Sequence, residues 1–320
     1  MNIELSKEAA DYGHEAIRAF EAAGGDRLIQ DAEAEPGRRA ERSEPVLAQL
    51  GAWELAPRRD ADDLEAAGAL CRSAGYWALP YPLAERLARP VDGDADGLIV
   101  ITESDPRAAV AEVDLRWSAV TLEGARFRAR ALHTAEPARS TAFVAPLRLS
   151  GREQAGTDEA ALALTLNCWT LLGMLDRAVE LTRSHVQMRT QFGQPLAKFQ
   201  SVQFQLADAE VERSGVDILA KYALWSVQCG RADALGDALA ARLAALEAAE
   251  KIFRTAHQLH GAVGFCDEST LSWHSRYSLP LRRLPWARSG TSDRLTTHLG
   301  ATGPAGLFDD DREAVDASWQ

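Results

Sequence analysis

The sequence predicts a mainly α-helical protein with a small β unit in its middle. Three observations carry this: short, broken helical segments over residues 1–90, short strand-compatible runs over 91–150, and long helical stripes over 151–302. A tail, 303–320, with an acidic DDDRE run, is expected to be disordered. At 320 residues the chain exceeds one small core, which agrees with two or three packed units.

In the first region, Ser6 can cap a helix whose apolar positions include Ala10, Ile17 and Phe20, and Gly24–Gly25 ends it. Val46, Leu47 and Leu50 form a second apolar set before Gly51. A third helix is expected from Asp62 or Asp63, carrying Leu64, Leu70 and Cys71. The segment Tyr76–Pro82 holds two prolines and must leave the helical state. In the second region, GLIVITESD, Val113–Leu122, Ala125–Leu132 and Thr141–Leu149 read as strands between turn formers. There is room for about four to six strands of typical length.

The third region begins with a stripe of Leu164, Cys168, Leu171, Leu175, Val179, Thr182 and Val186 at three- and four-residue steps, stopped by Gly193 and Pro195. A second helix starts near Phe199 with Val202, Leu206, Ala209, Val216 and Leu219 and ends at Gly230. A third runs from near Asp233 through Leu235, Leu239, Leu246, Phe253 and Ala256 to Gly261. A shorter helix covers about Glu268–Ser278, and a last one follows Thr291. Long helices with short links and apolar stripes make an antiparallel bundle.

Hydrophobic residues make up 46% and charged residues 26%, ordinary for a globular chain. The net charge of −12, from 47 acidic against 35 basic residues, offers no broad positive field, so neither nucleic acid nor an anionic membrane is an expected partner. The start, MNIELSKEAADYG, lacks the pattern of a secretory signal, and no apolar run is long enough to span a bilayer. Cys71, Cys168, Cys229 and Cys266 are scattered, which argues against a disulfide framework or zinc ribbon. A cytoplasmic location follows as the expectation. His257 and His260 sit near Cys266 but lack a carboxylate third ligand, so no metal site is expected. They read more plainly as helix-end residues near carbonyls. Trp169, Trp225, Trp273 and Trp286 read as core packing before any pocket.

The chemistry concentrates in Arg189-Thr-Gln-Phe-Gly-Gln-Pro-Leu-Ala-Lys-Phe-Gln-Ser-Val-Gln. An arginine offers a planar fork to a pyrophosphate and an aromatic ring offers a face to a purine. By spacing alone, a helix hairpin with a surface arginine and a buried Phe is the better reading. The stretch resembles the R-x-x-F-G-x-P/K…F-Q-x-x-Q link of the acyl-CoA dehydrogenase family, matched at Arg189, Phe192, Gly193, Pro195, Phe199, Gln200 and Gln203. Downstream, Gln258-Leu-His-Gly261-Ala-Val-Gly264-Phe265 is similar to the family's Q-x-x-G-G-x-G-[FY], and Arg288-Ser289-Gly290-Thr291-Ser292 is similar to the segment around E-G-T-[SN]. CRSAGYWALPYPLAERLA resembles the helix and proline turn before the β domain of short members. The implied fold is acyl-CoA dehydrogenase-like, with N-terminal helices, a reduced β domain and a four-helix-bundle-like C-terminal domain.

The resemblance implies FAD held across a subunit interface, with Arg189, Gln191, Phe192, Gln258 and Gly261 near its ADP half and Thr291 and Ser292 toward the flavin, at a helix N-terminus. Ala262 departs from the second glycine of the family motif, and Asp293 stands where many members are neutral. The family's base is a glutamate that takes a proton from Cα of an acyl-CoA thioester. Its usual position is Ser289 here, and the alternative one falls near Ala163. Glu159 and Asp293 are substitutes of last resort, and Asp158–Glu159 reads more simply as first-turn acids favoured by the helix dipole. Thr102-Glu103-Ser104-Asp105 only faintly echoes the family's flavin cradle. The pattern resembles one subunit of the heteromeric α2β2 acyl-CoA dehydrogenases of bacterial steroid side-chain degradation, whose homologous partner supplies the base. Two other readings are a structural partner without flavin, and a homo-oligomeric enzyme with a relocated base.

Overall fold

The computed structural model describes residues 2–132 and 143–303. The tail expected to be disordered lies outside the described residues beyond Gly303, as do the first two positions of the strand expected at 141–149.

Helices α1 (Lys7–Ala22), α2 (Arg27–Ala34), α3 (Arg39–Gln49), α4 (Ala61–Tyr76) and α5 (Leu83–Leu87) form the N-terminal layer. Ser6 caps α1, its Oγ accepting from the Ala9 N–H at 3.2 Å. Helix α4 starts before Asp62 because Asp60 is its cap, its carboxylate accepting from the N–H groups of Asp62 and Asp63. Pro80 and Pro82 break the chain as expected, and α5 follows directly. It had no sequence signal of its own, since one and a half turns cannot show a period. Helix α2 was unread for the same reason.

The β unit is a five-stranded sheet of β1 (Gly97–Val100), β2 (Arg107–Ala108), β3 (Trp117–Val120), β4 (Ala125–Ala131) and β5 (Ala145–Gln154), in the order β1-β3-β4-β5-β2. β1 and β3 pair in parallel, and the remaining pairs are antiparallel. Strand β5 runs past the boundary expected at residue 150, carried by its register against β4.

Helix α6 (Asp158–Met188), about 46 Å long, is the axis of the chain. Its buried residues run almost unbroken from Glu159 to Leu175 because α4, α7 (Gln200–Gln228) and α8 (Ala234–His260) surround it. Trp169 is fully buried there, its Nε1 donating to the Ala220 carbonyl. Helices α9 (Thr270–Tyr277), α10 (Leu279–Arg283) and α11 (Arg288–Thr302) complete this part. Two expectations are corrected. Leu219 is exposed, because α7 buries a narrow seam of Val202, Ala209, Val216, Ala220 and Ala223 and turns Phe204, Val211 and Ile218 to solvent at seven-residue intervals. The last helix begins at Arg288, so Thr291 lies within its first turns. Among the described residues no helix is long and apolar enough to cross a membrane, and no group of three or more His, Cys, Asp and Glu is placed to hold a metal ion.

Candidate functional site

After α6, residues Thr190–Gln191 (β6) and Gln194–Pro195 (β7) pair as a hairpin, so Phe192 and Gly193 are a two-residue turn. Both have positive φ, 52° and 81°, as a type I′ turn demands. Glycine meets that demand freely; phenylalanine does so against the Cβ–carbonyl contact that disfavours this region. Its ring is 90% exposed, touching Phe199 edge-on at 6.3 Å. Arg189 and Gln191 are exposed beside it, and the Arg189 guanidinium has no hydrogen-bond or ion-pair partner among the described residues.

The end of α8 lies at the same end of the bundle. His260 stacks on His185 of α6 with ring centroids 4.2 Å apart, and Leu259 packs with Val186, Val202, Leu196 and Phe199. Gln258 and Gly261 therefore share this end with Arg189, Gln191 and Phe192. Gly261 ends α8 at φ 65°, and a Cβ there would meet nothing within 4 Å, so its outer side is open for a ligand to approach. Ala262 follows in an exposed 3-10 turn, Gly261–Phe265.

The Ser289–Asp293 group sits elsewhere. Helix α11 runs antiparallel to α8, with Arg288 3.7 Å from Glu250 and His298 3.1 Å from Asp233. Its start therefore lies roughly 15 Å down α8 from Gly261. The 281–286 segment entering it is held by Arg242, whose buried Nη2 donates toward the carbonyls of Leu281, Leu284 and Trp286. Thr291 is fully buried and its hydroxyl donates to the Ala287 carbonyl at 3.1 Å, so in this chain that hydroxyl is taken up by its own helix. Ser292 is half-buried, while Ser289 and Asp293 are exposed.

Glu159 is buried at the start of α6, 3.1 Å from Arg126, with its Oε2 unpartnered among the described residues. Burial pushes its carboxyl up, against the pull of Arg58 and Arg126. The ion pair makes it a poor free base. Ala163, at the other expected position, is packed in the core.

Sequence reasoning missed a polar cluster between the N-terminal layer, the sheet and α6, in which Arg39 is buried and Glu85 and Asn167 are half-buried. A cavity of about 80 Å³ is lined by Arg39, Glu85 and Asn167 among largely apolar neighbours including Leu79, Met174 and Leu281. Burial pushes the Glu85 carboxyl up, while Asn167 and the Arg39 charge act the other way. The one available signal was an acid inside the apolar run PYPLAERLA.

A family model described as the acyl-CoA dehydrogenase C-terminal domain matches residues 158–300. The chain is 36% identical over 95 residues to a 3-(aryl)acrylate reductase of Clostridium sporogenes, covering 29% of this chain and 25% of that protein. It is 27% identical over 219 residues to acyl-CoA dehydrogenase FadE27 of Mycobacterium tuberculosis, covering 63% and 55%. The chain thus spans about half or less of the length of these relatives. In fold it is similar to a chain of the ChsE4-ChsE5 complex from Mycobacterium tuberculosis, with a TM-score of 0.71 at 19% identity over 95% of this chain and 100% of that one. The expected fold class, mainly α with a small sheet and a C-terminal helical bundle, is the one observed.

Proposed function

We propose that this chain, whose residues 158–300 match the acyl-CoA dehydrogenase C-terminal domain, is one subunit of an FAD-dependent acyl-CoA dehydrogenase, working with a homologous chain that supplies the catalytic glutamate. The reaction class is α,β-dehydrogenation of a CoA thioester, in which FAD accepts the hydride lost from Cβ. The observation that carries the reading is the convergence of Arg189, Gln191, Phe192, Gln258 and Gly261 at one exposed end of the bundle. The fit is chemical: an unpaired guanidinium suits a pyrophosphate, an exposed ring suits a purine, and the open side of Gly261 admits a close backbone approach. These residues would hold the ADP half of the cofactor. Thr291 and Ser292, lower on the bundle, would serve the flavin end by backbone and position, since the Thr291 hydroxyl is already bonded.

Need for a partner is supported by two features. Ser289 has a neutral hydroxyl where the family places its base, and Phe204, Val211 and Ile218 leave an apolar stripe on α7 uncovered. The likeness in fold to a chain of the ChsE4-ChsE5 complex agrees with this reading. A bacterial steroid side-chain thioester is the substrate proposed, and the cytoplasm its place. A structural subunit without flavin is the second reading, favoured by Ala262 at the position of the second motif glycine.

The test is to purify the chain alone and co-expressed with the chain encoded beside it, recording the visible spectrum of each. A yellow pair active on an acyl-CoA, with an inactive single chain, is expected. Activity of the single chain would overturn the partner assignment, and a colourless pair would support the structural reading. Arg189→Ala should lower FAD retention more than Ser289→Ala; equal losses would remove Arg189 from the site.

A further inference from the structure

Arg39 opens α3 and is 1% exposed, yet among the described residues no carboxylate accepts a hydrogen bond from it. Its Nη1 donates to the Pro80 carbonyl at 3.4 Å and its Nη2 to the Ala109 carbonyl at 3.1 Å. Its guanidinium lies 4.2 Å from the Phe143 ring centre, and its Nε has no partner. An arginine this buried is costly without an anion, because carbonyls and a ring face return only part of the lost hydration. Burial draws the guanidinium down to about 9, so it remains charged at neutral pH.

Nearby groups complete a site rather than an ion pair. Arg39 lines the 80 Å³ cavity together with Glu85 and Asn167, and the Asn167 Oδ1 is also buried without a partner. A second cavity of about 40 Å³ shares Glu85, Asn167, Ala109, Pro280 and Leu281 and lies toward β1 and the Leu284–Pro285 peptide. The remaining lining is mostly apolar: Leu79, Leu83, Met174 and Leu281 offer no hydrogen bonds.

We propose that this cavity binds a carboxylate on a short apolar neck, with Arg39 as its cationic anchor. The ligand is either a free short-chain carboxylate or the carboxylated end of an acyl group. Arg39 Nε–H donates to one ligand oxygen, the bound anion neutralises the buried cation, and the neck lies on Leu79 and Met174. Glu85 takes part as the carboxylic acid, donating its proton to the second ligand oxygen; two ionised carboxylates would repel at this distance. Burial shifts Glu85 in the direction of the acid, against the Arg39 charge. This inference does not rest on the redox reading: a site for a carboxylate stands whether or not the chain holds FAD.

Isothermal titration of butyrate and of butyramide into the purified full chain, with its partner if one co-purifies, tests it. Butyrate is expected to bind about tenfold or more tightly than the isosteric amide, since hydrogen bonds to a charged partner exceed neutral ones by that margin. Arg39→Met should bring butyrate down to the amide's affinity, and Glu85→Gln, which donates without a charge, should retain it. Should Arg39→Met fail to fold, the butyrate–butyramide contrast in the natural chain and the Glu85→Gln result still decide. Equal binding of the two probes, no binding at millimolar concentration, or a crystal structure from a butyrate soak with ordered water alone on Arg39 Nε would overturn the site. Glutaryl-CoA then separates the sources: it should compete with butyrate if an acyl end is the ligand, and leave it in place if the ligand is free.

Discussion

Gly75 of α4 and Gly173 of α6 meet backbone to backbone. A Cβ on Gly75 would stand 1.9 Å from the Thr170 carbonyl oxygen, and one on Gly173 would stand 1.8 Å from that of Arg72. The two clashes are reciprocal, so each glycine makes room for the helix carrying the other. This contact seats the N-terminal layer on the bundle, which in turn places the Pro80–Leu87 segment and its Glu85 against α6.

Gly173→Ala and Gly75→Ala should each destabilise the protein by about 3 kcal/mol, because the obstacle is helix backbone and no side chain can swing aside. Gly215→Ala in α7 is the control. Nothing lies within 4 Å of a Cβ there, so it should stabilise by about 0.5–1 kcal/mol through propensity. Urea denaturation reads both, as a shift of midpoint at constant slope.

Arg72, one turn before Gly75, ties the same junction electrostatically. Its Nε is 2.7 Å from Asp176 of α6 and its Nη1 2.8 Å from Asp217 of α7. Arg72→Met should cost about 2 kcal/mol, since it leaves two partly buried carboxylates leaning on Arg213 and Lys221 alone. The loss should depend little on salt, unlike that of an exposed pair; a loss that disappears in 0.5 M NaCl would place the pair in open solvent.

Phe192 holds a turn position better suited to asparagine or glycine. Phe192→Asn should raise stability by about 1 kcal/mol by relieving the left-handed strain. On the proposed function it should also weaken FAD retention, because the exposed ring is lost. A stability gain with unchanged retention would mean the ring is not part of the cofactor site.

The long elements were legible where periodicity had room to act. Helices α6 and α8 were placed to within a few residues by their stripes, and Ser6 marked the start of α1 through its hydroxyl. Leu219 misled because α7 buries only a narrow seam, Val202, Ala209, Val216, Ala220, Ala223 and Leu224, and leaves other large apolar side chains facing outward, so hydrophobicity alone cannot tell the two faces apart. Gln258 and Arg189 could be linked only through motif resemblance, since nothing within one helix reveals that its end lies beside another's. The Arg39–Glu85–Asn167 cluster joins residues far apart in sequence, and its meaning depends on burial, which a charged residue in a short helix does not announce.

The stacked imidazoles at the bundle end give a pH dependence with a definite sign. Burial lowers the pKa of His185 and His260, with the neighbouring Arg189 charge adding to the effect on His185 and with His185 and His257 adding to that on His260. Both groups therefore bind protons more weakly folded than unfolded, where the ordinary value is about 6.5. Their stabilising effect is complete above that value and is lost as pH falls through the lower folded values. His257 and the fully buried His274 shift the same way and add to the fall. The thermal midpoint should drop between pH 7.5 and 5.5, and His185→Phe, which keeps an aromatic face but cannot titrate, should reduce the drop. A variant with the natural protein's full drop would show that protons at this stack do not govern the loss.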